Sequence, residues 1–66
     1  MFIRRTRAEE VVVGDIVVDD DTQTTFKVER IDIQSRFTVL FGSRATAPHW
    51  PVHFSYEHAY MVAVQL

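Results

Sequence analysis

Phe26-Lys27-Val28-Glu29-Arg30-Ile31-Asp32-Ile33 changes phase halfway along. Phe26 and Val28 stand two residues apart and share one face of an extended strand, whereas Ile31 and Ile33 fall on the other. Strict alternation would leave one apolar pair in water. One extra residue at Glu29-Arg30, a β-bulge, shifts the phase so that all four apolar side chains reach a single core face. A strand bent in this way belongs to a strongly coiled sheet of the kind that small barrels use.

The flanking sequence carries the same signature. Ten Val, four Ile and six Thr are β-branched, and five Phe, two Tyr and one Trp add to the residues that suit a pleated, half-buried surface. No long stretch has the apolar spacing of an amphipathic helix. Phe2–Arg5 is expected to be a first strand. Thr6-Arg7-Ala8-Glu9 has the spacing of a capping box and predicts one helical turn over Ala8–Val11. Val13-Gly14-Asp15 predicts a turn, Ile16–Val18 a strand, and Asp19-Asp20-Asp21-Thr22 a polar turn. After the bent strand and the turn at Gln34-Ser35-Arg36, Phe37, Val39 and Phe41 alternate up to Gly42. Ser43–Pro51 is predicted to be irregular, Val52–Phe54 a short strand and Ser55–His58 a single tight turn. Tyr60, Val62, Val64 and Leu66 alternate in the last strand. The expected core is Phe26, Val28, Ile31, Val39, Phe41, Val62 and Val64.

These elements fit one domain over residues 1–66, all-β, as a small barrel of five or six strands with one short helical turn. A domain this size buries only about 60% of its unfolded surface. Much of the 47% hydrophobic content is therefore committed to the core, and little is left for a catalytic cleft. Cysteine is absent, which removes disulfides, thiolate nucleophiles and Cys-based zinc sites and favours a reducing, cytoplasmic setting. No apolar run, Val11–Val13 among them, comes near the roughly 20 residues of a membrane span. Basic residues after Met1 are followed by no apolar stretch, so no signal peptide is expected, and the Met1 start reads as that of a short gene product. No membrane partner and no cofactor are expected.

Val13-Gly14-Asp15-Ile16-Val17, leading into a strand, is similar to the opening of many Src-homology-3-like small β-barrels, including KOW and Tudor-type modules. Ala8-Glu9-Glu10, the 13–17 segment, Phe26-x-Val28-x-x-Ile31 and the terminal Val62-x-Val64 together resemble small uncharacterised proteins of actinobacterial phages. The resemblance implies an Src-homology-3-like barrel and, if phage-encoded, an accessory protein acting on a host target. It assigns no functional residue, because this barrel hosts unrelated activities.

Net charge is −2, without the basic surplus usual for a dedicated DNA-binding domain. The charge is uneven: Arg4, Arg5 and Arg7 open the chain, and Glu9, Glu10, Asp15, Asp19, Asp20 and Asp21 follow. His49, His53 and His58 lie within ten residues, but only 49 and 53 share a strand face, and surface or half-buried histidines are expected rather than a metal site. Asp19–Asp21 lacks the alternation and distal Glu of a calcium loop and reads as a solvated hairpin turn. No Gly-x-Ser-x-Gly elbow or phosphate-binding glycine loop is present, so no enzyme is expected. Trp50 is the strongest functional signal. It sits between Pro48 and Pro51 in the longest loop and is either a plug in the barrel end or an exposed anchor, the residue type most enriched in binding hot spots. The expected partner-binding surface is Trp50, His49, Tyr56 and Tyr60, with Arg36 and Arg44 at its rim. Protein binding is the leading reading. The alternatives are a KOW-like nucleic-acid binder using Arg4, Arg5, Arg7, Arg36 and Arg44 with Trp50 or Tyr56 for stacking, and a homo-oligomeric structural protein that adds subunits through an exposed strand.

Overall fold

The computed structural model describes residues 2–66. Six strands follow in chain order: β1 (Ile3–Arg7), β2 (Ile16–Asp19), β3 (Thr24–Ile33), β4 (Phe37–Arg44), β5 (Ala47–Glu57) and β6 (Met61–Gln65), with a 3₁₀ turn at Ala8–Glu10. They form one antiparallel sheet in the order β1-β6-β2-β3-β4-β5. The all-β expectation with a single helical turn is met, and β1 and β5 are the sheet's edges.

A lone sheet has no second layer to cover its apolar face. Here it curls, and one face closes over Ala8, Val11, Val17, Phe26, Val28, Leu40, Tyr56, Val62 and Val64, with Ile31, Val52 and Phe54 packed against them. A single bond measures the curl. The Tyr56 hydroxyl on β5 donates to Asp19 Oδ1 on β2 at 2.7 Å. β2 and β5 are three places apart, which would be about 14 Å in a flat sheet. β5 pairs with β4 alone and β1 with β6 alone.

The bulge lies where the phase change demands it. Val28 faces Gly42 and Arg30 faces Phe41, so Glu29 is the extra residue. Val28 is fully buried and Ile31 packs on the same core, but Ile33, at the end of the strand, is 61% exposed and does not join the core as expected. Behind it, Gly14 takes φ 99° and donates its N–H to the Val28 carbonyl at 2.8 Å, while the Val28 N–H donates to the Asp15 carbonyl at 2.8 Å. A positive φ is what glycine tolerates and side-chain-bearing residues resist.

The expected phase of β4 is wrong. Thr38, Leu40 and Gly42 face the core, not Phe37, Val39 and Phe41. Both alternating sets in Phe37–Phe41 include apolar residues, so periodicity alone does not choose between them. Register does: Leu40 stands opposite Ile31 and Phe54, which already face inward. Gly42 reinforces the choice, because a β-carbon there would overlap the Lys27 carbonyl oxygen and crowd the Phe26 ring. Val39 is nonetheless buried, on the outer face between Asp32 and Ser55. Phe41 is covered there by Arg30, whose Cζ lies 3.8 Å from the ring centre.

Other boundaries also move. β4 continues past Gly42, and Ser43–Pro51 forms a hairpin instead of an irregular loop. Arg44 pairs with Ala47 and Ser43 with Pro51, leaving Pro48, His49 and Trp50 bulged out of the ladder. β5 runs on through Ser55–Glu57, and the turn falls at His58-Ala59. Thr6 caps no helix: it lies within β1 opposite Val62, and the 3₁₀ turn starts after Arg7 without a side-chain cap.

Two substitutions test this packing. Leu40→Ala should cost about 2–5 kcal/mol, as expected for truncating a buried leucine. Gly42→Ala should cost about 3 kcal/mol or more, because the clash is with backbone. Urea unfolding monitored by circular dichroism reads both. A Gly42→Ala protein as stable as wild type would contradict the close approach of β3 to β4.

Candidate functional site

The β4–β5 hairpin builds the exposed aromatic site. Ala45-Thr46 turns the chain, and the bulge then lifts Pro48, His49 and Trp50 away from β4. Trp50 is 57% exposed, which rules out the role of core plug. Arg44 Cζ lies 5.7 Å from the Trp50 ring centre, within cation–π reach. His49 is exposed between the proline and the tryptophan. Pro48 closes a shallow groove with Ile16, Lys27, Ser43, Arg44 and Ala45. Each proline fixes its own φ and restricts the residue before it.

The six residues expected to form one surface divide into two groups. Arg44, His49 and Trp50 meet at the hairpin. Arg36, Tyr56 and Tyr60 lie at the far end of β4 and β5, about 25 Å away for a strand of this length. Arg36 is exposed in the β3–β4 turn and lines a groove with Phe37, Glu57 and His58. Tyr56 is buried, and Tyr60 stacks on it with centroids 5.3 Å apart and planes 15° apart. Tyr56 therefore seals the core end in place of Trp50.

Asp19 also differs from expectation. Asp20 and Asp21 are exposed, as a solvated turn requires, but Asp19 is buried. Its Oδ2 accepts from the Thr22 N–H at 3.1 Å and the Thr22 hydroxyl at 2.8 Å, while Oδ1 takes the Tyr56 hydroxyl. Burial works to raise the Asp19 pKa, but the hydrogen bonds from Tyr56 and Thr22 together outweigh it and hold the carboxyl below its ordinary 3.8. Burial pushes the Tyr56 hydroxyl well above its ordinary 10.0, and the bond to Asp19 and its charge push it further. The Asp-x-x-Thr spacing of an Asx-type turn was the available sign that Asp19 bonds locally.

The N-terminal arginines are engaged within the chain. Arg4 pairs with Asp15 at 3.8 Å, Arg5 with Asp20 at 3.0 Å and Arg7 with Glu9 at 3.3 Å. These exposed pairs add little stability, but they match the basic opening of the chain to the acidic stretch after it. Among the described residues, Lys27, Arg30, Arg36 and Arg44 have no carboxylate within 4.0 Å, and all four lie on β3, β4 or the turn between them. On the outer face, Arg30, Phe41 and His53 form a stacked row, with the Phe41 and His53 rings 5.8 Å apart. Sequence reading missed this row, since the bulge sets its alignment.

The histidines do not converge. His53 lies on Phe41, His49 is in the bulge, and His58 Nδ1 is 3.9 Å from Glu9. Among the described residues no three metal-ligating side chains gather. No helix is long and apolar enough to cross a membrane. Comparison with protein-family models, with curated proteins and with solved structures finds no match to this chain.

The buried pair makes stability pH-dependent at both extremes. Below about pH 3.8 the unfolded chain protonates Asp19 while the folded chain resists, so stability falls as pH drops. Above about pH 10 the unfolded chain ionises Tyr56 while the folded chain does not, so stability falls as pH rises. Tyr56→Phe should cost about 1.5–3 kcal/mol at neutral pH, remove residue 56's alkaline loss and shrink the acid loss from Asp19. Urea midpoints from about pH 2 to about pH 11 check this. An unchanged alkaline limb in the variant would refute the assignment.

Proposed function

We propose that this curled sheet is an open variant of the Src-homology-3-like small barrel and a non-catalytic module that binds a protein partner at its β4–β5 hairpin. On the phage resemblance, the partner is a host protein and the chain an accessory factor. The observation that carries the reading is Trp50: a large aromatic, 57% exposed, lifted from the ladder between two prolines and flanked by Arg44. A stiff backbone lowers the ordering entropy paid on binding. An aromatic anchor with polar residues around it is the usual centre of a protein hot spot.

The nucleic-acid reading keeps one supporting observation, the four cations of β3, β4 and their turn that lack carboxylate partners. It loses Arg4, Arg5 and Arg7 to pairing and Tyr56 to the core. Glu29, Asp32 and Glu57 also interleave with the remaining cations, which weakens any field attractive to phosphate.

Trp50→Ala tests the proposal. The variant should keep its circular dichroism spectrum and melting temperature, since the side chain is outside the core. It should lose its partner in pull-downs from the native host's lysate, with or without nuclease. Titration with single- and double-stranded oligonucleotides at low and moderate salt provides the second arm. Tight binding that falls steeply with salt would replace the protein-binding reading with the nucleic-acid one.

A further inference from the structure

The two edges of the sheet are guarded very differently. An edge strand presents unpaired N–H and C=O groups that template pairing with another chain, and charged side chains or prolines normally block it. β1 carries Arg4, Arg5 and Arg7 in five residues. β5 carries Pro48 and Pro51 near its start, but from Val52 to Glu57 it has no proline, lysine or arginine. Along that open stretch Val52 and Phe54 are only partly buried at the margin of the core. An added strand would cover them.

We infer that the occupant of this edge is a second copy of the chain, paired antiparallel through β5 about a two-fold axis at Ser55. Directly opposed residues in an antiparallel pair share a face, so the axis must pass through a residue. With Ser55 opposite Ser55, Phe54 of one copy faces Tyr56 of the other on the inner side, an aromatic cross-strand pair. On the outer side His53 faces Glu57, an imidazole against a carboxylate, and symmetry makes each contact twice. Moving the axis to Phe54 would set Glu57 against Pro51, which has no N–H, and would remove both pairs. The prolines fit the Ser55 register, because they lie outside the ladder it forms over residues 53–57. Trp50 also lies outside it, so this inference stands independently of the hairpin's role.

Sedimentation equilibrium of the full chain from about 10 μM to about 1 mM tests it, a range suited to a small interface. The expected result is a monomer–dimer equilibrium reaching twice the 7.7 kDa of one chain. Ser55→Lys places two ammonium groups face to face and should raise the dissociation constant at least about tenfold. His53→Glu should weaken the dimer by opposing Glu57, and adding Glu57→Lys should restore it, a rescue that requires a folded chain and this register. Trp50→Ala should leave the mass unchanged. A monomer throughout would overturn the inference. So would a dimer indifferent to Ser55→Lys, a charge exchange that fails to restore association, or a dimer lost with Trp50→Ala.

Discussion

The hydroxyl of Tyr56 and the carboxylate of Asp19 join two strands that the ladder itself keeps three places apart. Everything about this fold follows from the need for such a contact. With one sheet and no helical layer, the apolar side chains on β2, β3, β4, β5 and β6 can leave water only if the sheet bends until its own strands face one another. Bending requires extra length on one side of the ladder, which Glu29 provides on β3. It also requires backbone to approach backbone closely, which Gly42 permits. The buried polar pair then fixes how far the bend goes. A carboxylate left alone at that depth would be costly: Thr22 supplies two of its hydrogen bonds within the turn, and the third, from Tyr56, is met only in the curled state.

Charge follows the same economy. The basic and acidic blocks at the start of the chain are adjacent in sequence, and the fold makes them adjacent in space. Their attraction is satisfied internally, and among the described residues the cations without a carboxylate partner all lie on β3, β4 and the turn between them. Any partner drawn by charge therefore meets the half of the molecule that also displays Trp50, Phe41 and His53.

How much of this was readable beforehand depends on the kind of signal. The bulge was legible because Phe26, Val28 and Ile31 cannot share a core without it. β6 was legible because Tyr60, Val62, Val64 and Leu66 stand at alternate positions with the β-branched residues in the middle. β4 was not, because the set Phe37, Val39 and Phe41 is the more apolar of the two, and only pairing with Ile31 and Phe54 turns Thr38 and Leu40 inward instead. The hairpin at Ala45-Thr46 was hidden by prolines that read as loop, since a bulge inside a strand leaves the same local signature. Trp50 stands out in the sequence between its prolines, but its exposure follows from the bulge that lifts it out of the ladder, which no local pattern reveals. Tyr56 was misjudged for a related reason: its burial comes from a strand three places away, which no local window contains.

The placement of β6 has a consequence for how the molecule comes into being. The last strand in sequence lies inside the sheet, between β1 and β2, and is the only neighbour β1 has. The hairpins joining β2 to β3, β3 to β4 and β4 to β5 can form from local segments as the chain emerges. β1 must wait, because Ile3 finds its partner at Gln65, near the other end of the chain. Closing that loop comes late and at high entropic expense, so folding should be slow for so small a domain. Until it happens, β2 exposes a second open edge beside Val17. The finished sheet ends at β1 and β5, but the nascent one ends at β2 and β5, and the interval before β6 inserts is when the chain is most exposed to mispairing.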